Sequence, residues 1–141
     1  MNFYMTNRAE EEIEALAKKT PTKKVKEDIC DFFKKLDTIE KIREVDETMG
    51  VKGKITTCKK TRLKNSINNE KDGGYRIYFL VSEKNEVIII SSIYSKKKID
   101  NYSKDEIKRV FKAANDEIKN GTIQAIDINK KLKKINLEVE K

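Results

Sequence analysis

The residues of this chain best equipped for chemistry are cationic or phenolic, and they gather in its middle. Within Lys71–Asn101, KDGGYRIYFLVSEKNEVIIISSIYSKKKIDN, stand Lys71, Arg76, Tyr94 and Lys96, with Lys59, Lys60, Arg62 and Lys64 before them and Lys97 and Lys98 after. The chain has no histidine, so no side chain titrates near neutrality unaided. Lysine and tyrosine, whose ordinary pKa values are about 10, move protons at pH 7 only if neighbouring positive charge depresses them. A cluster of cations supplies that charge and binds phosphate at the same time. Arginine adds a fixed fork of donors suited to charge developing on phosphoryl oxygens.

Charge is distributed accordingly. The 141 residues carry a formal net charge of +8. Residues 1–50 hold 10 basic and 12 acidic side chains, residues 51–104 hold 13 and 5, and residues 105–141 hold 9 and 7. Nearly the whole excess lies in the middle, which predicts a basic sheet face that meets a polyanion. Cys30 and Cys58 form no CxxC, and with no histidine beside them they read as reduced, partly buried thiols; neither a metal site nor a cofactor is expected. No apolar run approaches the roughly 20 residues of a membrane span. The N-terminal MNFYM also lacks the features of a signal peptide, so the expected location is the cytoplasm, away from membranes.

The elements that must position these residues begin with a hairpin. Tyr75–Ser82 and Val87–Tyr94 are rich in β-branched and aromatic residues and are joined by the polar Glu83-Lys84-Asn85-Glu86, a pattern that predicts paired strands. Alternation in the first run puts Tyr75, Ile77, Phe79 and Val81 on one face and Arg76, Tyr78, Leu80 and Ser82 on the other. The consecutive apolar residues Val87 to Ile90 suit a central strand covered on both faces. Before the hairpin, residues 51–64 read as a basic strand and residues 65–74 as a polar loop.

The N-terminal half predicts an extended piece at Asn2–Thr6 and a helix from an Asn7/Glu10 capping box to about Lys19. Glu10-Glu11-Glu12 then lie in the first turn, where the helix dipole favours acid. Thr20-Pro21 restarts the chain. Val25, Ile29, Phe32, Phe33 and Leu36, continued by Ile39, Ile42, Val45 and Met49, predict two helices or one bent helix that stops at Gly50. Near the other end, Ser103 and Glu106 open a helix buried through Ile107, Val110, Phe111, Ala114 and Ile118 and ended by Gly121. A single domain over residues 1–121 follows, with residues 122–141 as an extension that could form a weak amphipathic helix through Ile128, Leu132, Ile135 and Val139.

The order helix, helix, strand, strand, strand, helix, taken with specific residues, resembles the RelE/HigB-type toxins of bacterial type II toxin–antitoxin modules. The likeness is closest over residues 60–112: Arg62-Leu63-Lys64, then Lys71-Asp72-Gly73-Gly74-Tyr75-Arg76, then Tyr94-Ser95-Lys96, then Asn101-Tyr102-Ser103, where Tyr102 replaces the leucine usual in the family. The resemblance implies an α+β fold: a small twisted, mostly antiparallel sheet with N-terminal helices on one face, a C-terminal helix and a basic groove on the other face.

It also implies a ribosome-dependent endoribonuclease that cleaves mRNA in the ribosomal A site without metal and is neutralised by a cognate antitoxin. On that reading Arg76 clamps the scissile phosphate. Lys71 and Lys96 transfer protons or stabilise charge, and Tyr94 stacks on a base or acts as acid or base. Arg62 and Lys64 grip the RNA backbone, and Lys59, Lys60, Lys97 and Lys98 contact ribosomal RNA. Two alternatives stay open. One is a toxin of the same fold that inhibits DNA gyrase or another protein by binding; the other is a non-catalytic basic RNA-binding module.

Overall fold

The computed structural model describes residues 1–36, 38–43, 45, 47–52, 57–67, 74–96 and 101–135, the side chains of 39, 43 and 47–52 excepted. Along the chain run β1 (Asn2–Met5), α1 (Asn7–Ala17), a 3-10 turn (Thr20–Thr22), α2 (Val25–Lys35), α3 (Ile39–Arg43), β2 (Glu47–Lys52), β3 (Thr57–Leu63), β4 (Tyr75–Ser82), β5 (Val87–Ser95), α4 (Lys104–Asn120), β6 (Gln124–Asp127) and β7 (Lys133–Lys134). The strands form one sheet in the order β2-β3-β4-β5-β1-β6-β7. Every pairing is antiparallel except that of β1 with β5. The protein is therefore α+β with a mostly antiparallel sheet. Among the described residues, no helix is long and apolar enough to cross a membrane.

Two cores sandwich this sheet. On one face α1, α2 and α3 cover Tyr75, Ile77, Phe79 and Val81 of β4 and Ile88, Ile90 and Ile93 of β5. Phe33 of α2 is wholly buried there, its ring 5.5 Å from Phe3 and 5.3 Å from Phe79. On the opposite face, Ile107, Val110, Phe111 and Ala114 of α4 pack on Cys58, Tyr78, Leu80 and Ile89. The face expected to be an open basic groove is thus partly roofed by the C-terminal helix. Leu80 and Tyr78 share the Arg76 face, and the apolar stripe of α4 needs such a floor.

A bulge in β5 sets which side chains reach which face. Tyr78 pairs with Ser92 and Phe79 with Ile90, so Ser91 is an extra residue. Uninterrupted alternation would place Tyr94 with Ile88 and Ile90; the bulge moves it to the face of Arg76. The short β1 ends level with Ile90, and α1 takes over as the neighbour of the rest of β5. Thr6, whose N–H donates to the Ile90 carbonyl at 3.0 Å, also donates from Oγ1 to the Ser91 carbonyl at 3.3 Å.

Helix ends agree with the sequence at α4 and differ at α1. Ser103 Oγ accepts from the Glu106 N–H at 3.1 Å, and Gly121 closes α4 at φ 69°, a left-handed conformation that favours glycine. The cap of α1 is Thr6, which accepts from the Ala9 N–H at 3.1 Å; Asn7 is the first helical residue. Thr20-Pro21 opens the 3-10 turn, and α2 starts only at Val25.

One segment expected as helix is a strand, and the tail that the sequence left open forms two more. The helical spacing of Ile39, Ile42, Val45 and Met49 holds only through Arg43, after which β2 pairs along β3. Thr48 and Val51 favour a strand, and the open edge of β3 supplies the ladder. At the other end, β6 pairs with β1 and returns through β7, so residues 122–135 extend the same sheet. Ile126 and Leu132 enter the larger core, while Ile135 is 45% exposed. Val139 lies outside the described residues.

Candidate functional site

Strand pairing brings the arginines and Tyr94 into one row. Arg62 of β3 stands directly opposite Arg76 of β4, which stands opposite Tyr94 of β5. The next row inward is Lys60, Tyr78 and Ser92. One step outward lie Lys64, Gly74 and Lys96, where the Lys96 N–H donates to the Gly74 carbonyl at 3.0 Å. A Cβ on Gly74 would sit 3.0 Å from the Leu63 carbonyl oxygen, so the close approach of β3 and β4 here requires glycine. Arg62 and Lys64 are exposed, Arg76, Lys60 and Lys96 partly so, and Tyr94 is buried.

Two guanidinium groups side by side repel each other unless something anionic lies between them. Among the described residues, neither Arg62 nor Arg76 forms an ion pair, and Arg76 Nε is buried without a hydrogen-bond partner. Among the described residues the row is consequently a concentration of positive charge with no carboxylate beside it.

Lys59 does not belong to it. It is 4% exposed, on the face opposite Lys60, and its Nζ donates to the Val45 carbonyl at 2.8 Å. Adjacent strand residues face opposite sides, so Lys59 is a buried structural lysine and no contact for external RNA. Lys71, Lys97 and Lys98 lie outside the described residues.

Beside the row stands a cluster that the sequence did not announce. The Tyr102 ring, just before α4, lies 5.3 Å from Tyr78 and 4.4 Å from Tyr94, and Arg8 sits 5.5 Å over it. Glu12 of α1 ties this cluster to the sheet. Its Oε1 accepts from Ser92 Oγ at 2.8 Å and the Ile93 N–H at 3.3 Å, and its Oε2 accepts from the Tyr102 hydroxyl at 3.3 Å. Arg8 bridges to Glu106 at 2.8 Å, and Glu106 also pairs with Arg109 at 3.0 Å. The first turn of α1 is thereby fastened to the first turn of α4. Of the acidic run only Glu10 lies in the first turn of α1; Glu12 binds the sheet instead, and Tyr102 is more than a substitute for leucine, their partners being 80–90 residues away, beyond the reach of local pattern.

Burial governs the electrostatics of this cluster. It pushes the Glu12 carboxyl above its ordinary value, against the hydrogen bond from Ser92 and the charge of Arg8. It also pushes up the Tyr78 and Tyr102 hydroxyls, so neither phenol is poised to lose a proton near neutrality. Hydrogen bonds from Arg8 and Arg109 hold Glu106 below the usual carboxylate range. The described residues contain no group of histidine, cysteine, aspartate or glutamate side chains able to hold a metal ion. A cavity of about 380 Å³ opens where α1 meets the end of β5, with Tyr94 and Tyr102 in its wall. Comparisons of the chain with protein-family models, with curated proteins and with solved structures found no match.

Proposed function

We propose that this protein is the toxin of a toxin–antitoxin pair, an endoribonuclease that cleaves mRNA on the ribosome in the cytoplasm and is held inactive by a cognate antitoxin. The observation that carries this reading is the row Arg62–Arg76–Tyr94, two arginines with no ion-pair partner among the described residues and an aromatic ring on adjacent strands. Phosphate is the anion that such a pair suits best, because each guanidinium offers parallel donors to phosphoryl oxygens. The residues of the row also carry the sequence resemblance, so two independent lines support the same place.

Within this reading Arg76, fixed by the sheet and partly desolvated, holds the scissile phosphate and stabilises charge that develops on it. Arg62 and Lys64, more exposed, grip neighbouring phosphates, and Lys60 adds to the field. Proton transfer falls to Tyr94, Lys96 and Lys71, because Tyr78 and Tyr102 hold their protons too tightly. No step needs a metal. The roof formed by α4 favours a second reading, a protein inhibitor such as a gyrase poison, because it leaves part of this face as a packed surface rather than a groove.

Primer extension on cellular mRNA after inducing this chain alone separates the two. Translation-dependent cuts within codons, absent with Arg76→Ala, are the expected outcome. Growth arrest with intact mRNA would leave the inhibitor reading and remove the nuclease.

A further inference from the structure

The edge of β5 loses its strand neighbour part-way along, because β1 covers it only as far as Ile90. Beyond that point α1 and its cap answer the outward-facing backbone with side chains. Thr6 Oγ1 donates to the Ser91 carbonyl at 3.3 Å, and Glu12 Oε1 accepts from the Ile93 N–H at 3.3 Å. Alternate residues of a strand turn their N–H and C=O to the same edge. The Lys96 N–H faces β4, where it donates to the Gly74 carbonyl, so the Ser95 N–H points the other way, to the side of the Ile93 N–H and C=O. Among the described residues neither the Ile93 carbonyl nor the Ser95 N–H has a hydrogen-bond partner. Both residues line the cavity of about 380 Å³ between α1 and β5, whose other walls include Ala15, Leu16, Pro21 and Tyr102. An uncovered strand edge is a template for pairing, and here it lies at the back of an apolar cleft.

We propose that this cavity receives an extended segment of a partner protein, apolar at its centre and acidic at its ends, added to the edge of β5 in parallel register. The open backbone groups select the register. A parallel residue level with Tyr94 donates its N–H to the Ile93 carbonyl and accepts from the Ser95 N–H, which satisfies both. An antiparallel residue opposite Ile93 needs the N–H that Glu12 already holds, and one opposite Ser95 leaves the Ile93 carbonyl bare. The inserted segment runs in the direction of β1, the parallel neighbour of the first half of β5. Its residue level with Tyr94 projects to the Tyr94 face, where the wall is aromatic. Charge complementarity supplies the ends: Lys19 lines the cavity, and Lys18, Lys23 and Lys24 stand exposed on either side of the 3-10 turn. None of these four forms an ion pair among the described residues. The inference stands whether or not the arginine row acts on RNA.

The test uses a fluorescein-labelled pentapeptide, Asp-Val-Leu-Val-Asp with blocked ends, and the same peptide N-methylated at its leucine, which removes the donor for the Ile93 carbonyl. Anisotropy should show saturable binding of the first and binding weaker by roughly 5- to 150-fold for the second, the factor for a stranded backbone group. Ala15→Trp, at an exposed position of α1, fills the cavity and should abolish binding by a protein that remains folded. Amide exchange read by NMR should show the Ser95 N–H protected when the probe is bound, with the Ile93 N–H, already held by Glu12, little changed. No saturable binding up to about 1 mM, or binding that survives Ala15→Trp, overturns the site. Binding lost with Ala15→Trp but indifferent to N-methylation, or a saturated complex in which Ser95 stays unprotected, overturns strand addition and leaves an apolar ligand in its place. A probe with lysines for aspartates that binds equally well overturns the acidic character of the partner.

Discussion

The two faces of the sheet are built on different principles. Beneath α1 and α2 the sheet presents an almost wholly apolar surface, in which Phe33 meets Phe3, Phe32 and Phe79 at ring separations of 5.1–5.5 Å. Beneath α4 the apolar floor gives way, toward one end, to hydroxyls and charges: Tyr78, Tyr94, Tyr102, Ser92 and Arg76. The first face is built for packing. The second gives up packing for a set of polar groups that must all be satisfied together, and it leaves two arginines without an ion-pair partner among the described residues. Where a fold tolerates adjacent like charges, the missing counter-charge is the place to look for function.

The contrast breaks most sharply in the first core. Phe33→Ala should cost about 3–5 kcal/mol of stability, read from chemical denaturation; a loss under 1 kcal/mol would mean that the α2 face is not the main core. Arg76→Ala should do the reverse. If the protein is the nuclease proposed above, it should lower RNA cleavage about a hundred- to a thousand-fold, and in any case leave stability unchanged or slightly raised, since it relieves repulsion with Arg62. A variant both active and unstable would erase the distinction between the faces.

Glu12→Ala should fall between these extremes. It strands the Ile93 N–H and loosens Tyr102, at a cost of about 1–3 kcal/mol, and the near-ultraviolet tyrosine signal should change with it.

The pH dependence sharpens the comparison further. The Tyr75, Tyr78 and Tyr102 hydroxyls are all raised by burial. Above the ordinary tyrosine range, about pH 10, the unfolded chain ionises and binds fewer protons than the folded one. Stability then falls as pH rises. Tyr78→Phe should flatten that alkaline limb in thermal melts, and Tyr102→Phe should flatten it again. In acid the fastening of α1 to α4 carries opposing slopes. The lowered Glu106 carboxyl contributes stability that is lost as pH falls through its folded value. The raised Glu12 carboxyl gains a proton on folding, so its contribution is lost as pH rises through its folded value. Glu12→Gln should therefore steepen the acid limb.

The smallest effect is expected at the far end of α4. Gly121→Ala meets no steric neighbour but must adopt φ 69°, which costs about 1 kcal/mol.

What was legible in the sequence was whatever depends on near neighbours. The hairpin Tyr75–Ser82 with Val87–Ser95, the Ser103 cap and the Gly121 stop all follow from local composition, and the structure has them within a residue. Residues 47–50 were misread, and the tail from residue 122 was left open, because apolar residues three and four apart fit a helix and an irregular strand equally well until an edge is available for pairing. Lys59 was legible but overlooked: within a strand it cannot face the same side as Lys60. Glu12 and Tyr102 were not legible, since nothing near either residue signals a partner in the other helix. Arg76 was placed by alternation alone, and Arg62 could be set against it only once the register of β3 was known.

The extra residue at Ser91 makes β5 a strand with two phases. From Val87 to Ile90 its reading frame is set by the core, and from Ser92 onward by the row of charges. Shortening the strand by that one position would remove more than a serine: everything beyond it would change sides, sending the Tyr94 phenol under α1 and α2 and turning Ile93 toward the arginines. One backbone irregularity thus keeps two sets of side chains in step, and single-residue insertions or deletions between positions 90 and 92 should be tolerated far less than any substitution there.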